Sequence, residues 1–232
     1  MRILGIIPAR GGSKGIPRKN LALLAGKPLL YYTARAAQQS RWLTRTILSS
    51  DNEEIIAVGQ QLGLEVPFVR PAEFATDDAS SVAVVQHALQ CVEEEEGKTY
   101  DGVCLLQPTA PLRLSQDIDA AITLLQGSDA DAVISVAQVD EPHPVKMMVV
   151  CDGVMKAFLP DQWHERLRRQ QLEPVYSLNG AVYCVRRTVL LEQTSLWGKK
   201  TLAYLMPAER SVNIDNPLDI KVAECILDQQ TP

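Results

Sequence analysis

Apolar positions along this chain alternate between two rhythms. Short unbroken runs such as Ile3 to Pro8, closed by Pro and Gly, have the length and flanks of buried strands. Between them lie stretches with helical spacing. The first runs from Pro28 to Gln39, with Pro at an acceptable first-turn position. Thr44 to Ser49 reads as a strand, and Asp51 followed three residues later by Glu54 predicts a capping box opening a helix. A third strand is expected over Glu65 to Val69, then a helix from Ser80 to Glu96 ended by Gly97. Strand Gly102 to Leu106, helix Asp117 to Leu125 and strand Ala132 to Ala137 complete the series. Strands alternating with helices imply an α/β chain whose parallel sheet is covered on both faces.

The rhythm breaks after Val139. Glu141 to Tyr176 gathers Pro142, Pro144, Pro160 and Pro174, with short β-like runs at Lys146 to Val150 and Val154 to Phe158. That reads as an insertion with its own hairpin. Ala181 to Val185 and Leu202 to Leu205 follow as strands, and Pro217 to Leu227 as the last helix. Without repeats, low-complexity tracts or a linker, residues 1–232 are expected to form one domain, with an inserted arm at about 140–178.

Composition narrows the class. A chain of 232 residues that is 46% hydrophobic can bury one sizeable core. Its apolar runs are far shorter than a membrane span. The run after Met1 and Arg2 leads into a basic loop and not a cleavage site, so neither membrane nor signal peptide is expected. Five scattered cysteines, never spaced C-x-x-C, argue against a disulfide framework or zinc site and for the cytoplasm. The net charge of −5 hides an asymmetry: residues 1–50 hold nine Lys or Arg and no acid. All 28 acidic residues and the other 14 basic ones lie beyond. This split suggests an anionic ligand held by the N-terminal segment, while Arg35, Arg41 and Arg45 could equally be exposed basic faces.

The candidate chemistry begins where the first strand ends. Pro8 to Asn20 reads P-A-R-G-G-S-K-G-I-P-R-K-N, combining Arg10, Lys14, Arg18 and Lys19 with Gly11, Gly12 and Gly15. A polyphosphate needs both halves of that set: glycines let backbone N–H groups approach its oxygens, and cations offset its charge. Open α/β sheets bind ligands at this position. The glycine spacing matches neither a Walker A loop nor a dinucleotide fingerprint. Because the basic residues form one loop without interleaved aromatics, nucleic acid is not an expected partner.

The run I-I-P-A-R-G-G-S-K-G-I-P-R-K-N resembles the signature of acylneuraminate (CMP-sialic acid) cytidylyltransferases. The likeness continues through R-P-A-E-F-A-T-D-D-A-S-S (70–81), L-L-Q-P-T-A-P-L-R (105–113), H-P-V-K (143–146), N-G-A-V-Y (179–183) and S-V-N-I-D-N-P-L-D-I (211–220). The resemblance implies a Rossmann-like, doubly wound, mostly parallel sheet with an inserted dimerisation arm, and hence a homodimer. It implies transfer of CMP from CTP to an acidic nine-carbon sugar, with Mg²⁺ or Mn²⁺ as cofactor. Arg10 and Lys19 would hold the phosphates through the transition state. Gly11, Gly12, Ser13, Lys14, Asn20, Arg70, Asp78, Ser80 and Ser81 would complete the nucleotide site, although Asp78 or Ser80 could simply cap a helix. Gln107, Lys146, Arg169, Asn179 and Tyr183 would contact the sugar acid; Arg113 would anchor its loop.

Two departures from the family pattern stand out. Ser177 replaces a basic residue that many relatives carry shortly before Asn-Gly, which leaves the identity of the sugar open. Asn213-Ile214-Asp215 replaces Asp-Ile-Asp. Residues two apart on an extended segment share a face. Asp215 and Asn213 therefore remain the expected metal ligands, one charged and one neutral. A synthetase for an eight-carbon acid and a catalytically silent nucleotide-binding protein are the rival readings.

Overall fold

The computed structural model describes residues 1–163 and 168–230, without the side chains of Arg169 and Gln230. Strand β1 (Ile3–Pro8) is buried along its first five residues and leads into the glycine-rich loop. A tight hairpin of β2 (Leu23–Leu24) and β3 (Lys27–Pro28), turning through Ala25 and Gly26, follows before helix α1 (Leu29–Gln38). Both turn residues have positive φ, the twist a two-residue hairpin needs. Strand β4 (Arg45–Ser49) then pairs parallel to β1.

Helix α2 (Glu53–Gln61) starts one residue later than its capping box suggested: Asn52 is the cap, accepting from the Ile55 N–H at 3.1 Å. Asp51 is thereby free for another task. The strand expected over Glu65 to Val69 reduces to a single parallel bridge between Glu65 and Ile47. The chain there peels away at the sheet edge toward Arg70, whose N–H reaches the Ser50 carbonyl. Helix α3 (Ser81–Glu96) is capped by the Ser80 hydroxyl and stopped by Gly97 in the left-handed region, as its punctuation predicts.

Beyond α3 come β5 (Gly102–Leu105), α4 (Ser115–Gln126), β6 (Ala132–Val139), the hairpin β7 (Met148–Cys151) and β8 (Val154–Ala157), β9 (Val175–Arg186), α5 (Arg187–Glu192), β10 (Thr201–Leu205) and α6 (Pro217–Gln230). The sheet order is β10-β6-β9-β5-β1-β4. Pairings are parallel throughout except at β9, which runs antiparallel to both β5 and β6. The expected strand over Ala181 to Val185 is thus only the inner half of β9. The outer half leaves the arm and pairs Val175 through Leu178 with Val139 through Val136. Between the halves, register slips at Ser135, and Gly180 takes φ +70. That irregularity bends β9 between its two halves, both of which stay paired with β6.

Three apolar clusters cover the sheet. One packs α1 and α4 against one face, a second packs α3 and α5 against the other, and a third seats α6 on the β2–β3 hairpin. Arg113 is buried among them, with no ion-pair partner among the described residues. It donates to the carbonyls of Ala181 (2.6 Å) and Gln107 (3.2 Å) and to the Thr33 hydroxyl (2.6 Å). Burial pushes its guanidinium down to about 10. Its predicted anchoring role matches this geometry, for it fixes the loop after β5 to β9 and α1. No helix among the described residues is long and apolar enough to cross a membrane.

Candidate active site

A cleft of about 480 Å³ opens at the carboxyl ends of β1 and β5. There the chain order of the sheet reverses, with β4 on one side of β1 and β5 on the other. The loop after β1 supplies one wall, bringing Arg10, Ser13, Lys14, Lys19 and Asn20 together. Two contacts set this wall's shape. Asp51 accepts from the Gly11 N–H at 3.0 Å, and Asn20 donates to the Arg10 carbonyl at 2.9 Å. Gly15 lies so close to the chain opposite that a Cβ there would sit 2.3 Å from the Asp215 carbonyl oxygen. Only glycine lets the loop close on that segment. Arg18, left-handed at φ 55, then turns the chain so that Lys19 faces the cleft.

Lys19 donates to the Ile214 carbonyl at 2.9 Å and to Asp215 at 3.0 Å. Asp215 also accepts from the Asn213 amide at 2.6 Å. The other amide atom of Asn213, Oδ1, is buried without a partner. An orphaned buried oxygen beside an exposed carboxylate is a donor set suited to a hard cation that takes its remaining ligands from phosphate and water. Among the described residues no group of three or more His, Cys, Asp or Glu is placed to hold a metal ion.

Arg70 and Ser81 line the opposite wall with Phe74, Thr76 and Asp77. Arg70 is buried, and among the described residues its guanidinium bonds oxygens of Ser49 and Phe74. Burial pushes it down to about 10, with the charge of Arg10 adding to the effect. Arg10 donates to the Thr76 carbonyl at 2.8 Å and pairs with Asp77 at 2.7 Å; Lys14 pairs with the other Asp77 oxygen at 2.7 Å. Those two cations hold the Asp77 carboxyl below its ordinary value, Lys14 first. Gln107 lies on the floor, where a Cβ on Gly180 would come within 2.7 Å of its Oε1.

Several expected site residues stand elsewhere. Asp78 is exposed outside the cleft lining, and its neighbour Asp77 makes the contacts, because the backbone presents residue 77 to the loop. Ser80 is consumed as the α3 cap, with its oxygen on the Ala83 N–H. The Gly11 N–H is committed to Asp51, and a Cβ added at Gly12 would point into open space. Asn179 is buried at the β9 kink with its amide spent: it accepts from Ser135 and Ala181 and donates to Ser211 and the Met206 sulfur. It ties β6 and β9 to the strand-to-helix segment that carries Asp215. Tyr183 is half-buried against the α3-side cluster, where burial raises its phenol. Lys146 sits outside the cleft lining on Glu141 at 2.8 Å. The side chain of Arg169 lies outside the described residues. Asp51 was missed in the sequence because it reads as a helix-start acid, and Asp77 because its neighbour Asp78 was taken for the site residue. Proximity of each to a loop 40 or more positions earlier left no local signal.

A model of the cytidylyltransferase family matches residues 4–197. The chain is 34% identical over 223 residues to N-acylneuraminate cytidylyltransferase of Escherichia coli O18:K1:H7, covering 96% of itself and 51% of that relative. It therefore spans about half the length of that protein. It is 34% identical to pseudaminic acid cytidylyltransferase of Campylobacter jejuni, covering 97% of itself and 96% of the relative. With the CMP-N,N'-diacetyllegionaminic acid synthase of Legionella pneumophila it shares 32%, over 98% and 97% of the two chains. Among solved structures, a CMP:2-keto-3-deoxy-manno-octonic acid synthetase complexed with CTP superposes with a TM-score of 0.72 at 18% identity, over 99% of this chain and 100% of that one. This confirms the α/β fold. The sheet-end cleft, its cationic loop and the sequence match over most of the length thus converge, and the chain belongs to the cytidylyltransferase family.

Proposed function

We propose that this protein joins CMP, taken from CTP, to an acidic nine-carbon sugar of the nonulosonic acid class and releases pyrophosphate. The observation that carries this reading is the charge balance of the cleft. Four cations, Arg10, Lys14, Lys19 and Arg70, line it against two carboxylates, Asp77 and Asp215. Such a surplus suits a ligand with several negative charges. Arg10, Lys14 and Lys19 hold the polyphosphate, Arg70 and Ser81 face the nucleoside, and Gln107 bridges toward the sugar with an amide that can both donate and accept. The anomeric hydroxyl of the sugar attacks the α-phosphorus in line and gives up its proton to solvent; the bond to the β-phosphate oxygen breaks and pyrophosphate departs. Fixed cations beside the phosphates stabilise the charge that develops in that step.

Asp215 and Asn213 are the residues that would hold Mg²⁺ or Mn²⁺, and the unpartnered Asn213 Oδ1 supports that assignment. Bound there, the ion would offset charge on the phosphate oxygens. With one carboxylate in place of two, half-saturation should require more metal than an Asp-Ile-Asp site does. The arm supports a homodimer. β7 is exposed at every position, and Val150, Met155 and Phe158 are more than half exposed. An unpacked two-stranded hairpin is marginal by itself, so a second copy is its natural cover. CTP supply and five free cysteines fit the cytoplasm.

The test is pyrophosphate release from CTP and Mg²⁺ with sialic, legionaminic and pseudaminic acids in turn. Release with one acid, dependent on both acid and CTP, is expected. CTP binding without turnover on any of them would instead favour the silent nucleotide-binding reading.

A further inference from the structure

Asp77 stands on the polyphosphate wall with a charge of the wrong sign. Its two oxygens are divided between two cations, one on Arg10 and one on Lys14, each at 2.7 Å. That is the spacing a pair of phosphate oxygens would take on the same donors. The carboxylate is not a helix cap, because Ser80 fills that position on α3. Its side chain is 42% exposed, and Lys14 is 82% exposed, so both ends of the pair can exchange for water at little cost. Arg10 keeps a second anchor on the Thr76 carbonyl, which would hold its guanidinium near the wall if the acid moved away.

We propose that Asp77 is an internal counter-anion, competing with the polyphosphate for Arg10 and Lys14 and so setting how readily pyrophosphate leaves. The inference rests on the cytidylyl-transfer reading above. A site with four cations binds substrate and product polyphosphate alike, and binding shared equally by both does not speed the chemical step. Tight retention of pyrophosphate would make its departure limiting. A carboxylate that returns to the two outermost cations lowers the charge the product leaves behind.

The sign of the effect separates this from an orienting strut. Titration calorimetry in metal-free buffer would compare the native protein with Asp77→Asn and Asp77→Ala, using inorganic pyrophosphate and then CTP as ligands. Removing the competitor should tighten pyrophosphate binding about tenfold in both variants. Product inhibition by pyrophosphate should strengthen in parallel. Weaker or unchanged binding in the two variants would overturn the proposal and leave Asp77 as a strut that orients Arg10. If the native protein binds neither ligand, the polyphosphate cradle itself fails and this inference falls with it.

Discussion

The two ends of the central sheet both gather arginines and carboxylates, but in opposite proportions. At the end away from the cleft, Arg45 pairs with Glu65 at 2.8 Å, Glu95 at 3.0 Å and Glu96 at 2.9 Å. Arg2 joins Glu96 at 2.7 Å and lies over the Tyr100 ring. Two cations there meet three acids, and burial together with the Glu96 bond pushes the Tyr100 hydroxyl up to about 12. Among the described residues lining the cleft, four cations meet two acids, and Arg70 has hydrogen bonds but no ion pair there. A compensated network closes a structure, whereas a cationic surplus waits for an anion. The acid-free first fifth of the chain serves both ends, so its asymmetry marks a ligand site only where the partners from later in the chain run short.

The contrast predicts that the same kind of change has different consequences at the two ends. Lys19→Ala removes a cleft cation whose side chain is 18% exposed. Turnover should fall about 100- to 1000-fold, the usual cost of losing one donor on a developing charge. The urea midpoint should move little. A steady-state assay beside an unfolding curve checks this. Unchanged turnover in the folded variant would remove the cradle from the mechanism.

Arg45→Met, with the larger structural effect, should lower stability by about 1–2 kcal/mol, since it leaves three carboxylates without their shared cation. Its kcat should match the native protein's. A loss of kcat without a loss of stability would show that the far end is wired to the cleft and would erase the distinction drawn here.

How much of this was legible beforehand follows the range of each interaction. The strand-loop chemistry of residues 8–20 could be read directly, because glycines, cations and the end of a strand are neighbours in sequence. Most of the order of helices and strands was also readable from periodicity, though not the β2–β3 hairpin, α5 or the loss of the strand over Glu65 to Val69. The α3 cap and stop were readable from Ser80 and Gly97. Pairing direction was not: β9 is antiparallel because the chain returns from the arm, and no local pattern in Val175 to Arg186 records that. The choice between Asp77 and Asp78 turns on which of two adjacent side chains faces a loop some 65 positions earlier. Asn179 resembled a sugar ligand, but the kink at Gly180 spends its amide on Ser135, Ala181, Ser211 and Met206. Motif identity located these residues near the site without distinguishing contact from support.

The smallest effect expected is a pH dependence confined to the compensated end. Glu96 is held below the ordinary value of 4.5, by the Tyr100 hydroxyl first and by Arg45 and Arg2 after it, against the cost of burial. A carboxylate depressed on folding binds fewer protons in the native state than in the unfolded one. Its stabilisation is therefore complete above its unfolded value and is lost as pH falls through the folded one. Glu96→Gln should be less stable than the native protein at neutral pH. The gap should persist down to about pH 5 and close below the ordinary glutamate range. Urea midpoints of the two proteins from neutrality to about pH 3 would show it. A gap that stays constant across that range would mean that Glu96 acts there through packing and hydrogen bonding alone. The far end would then owe its closure to shape, with its three acids contributing no net charge stabilisation to the sheet.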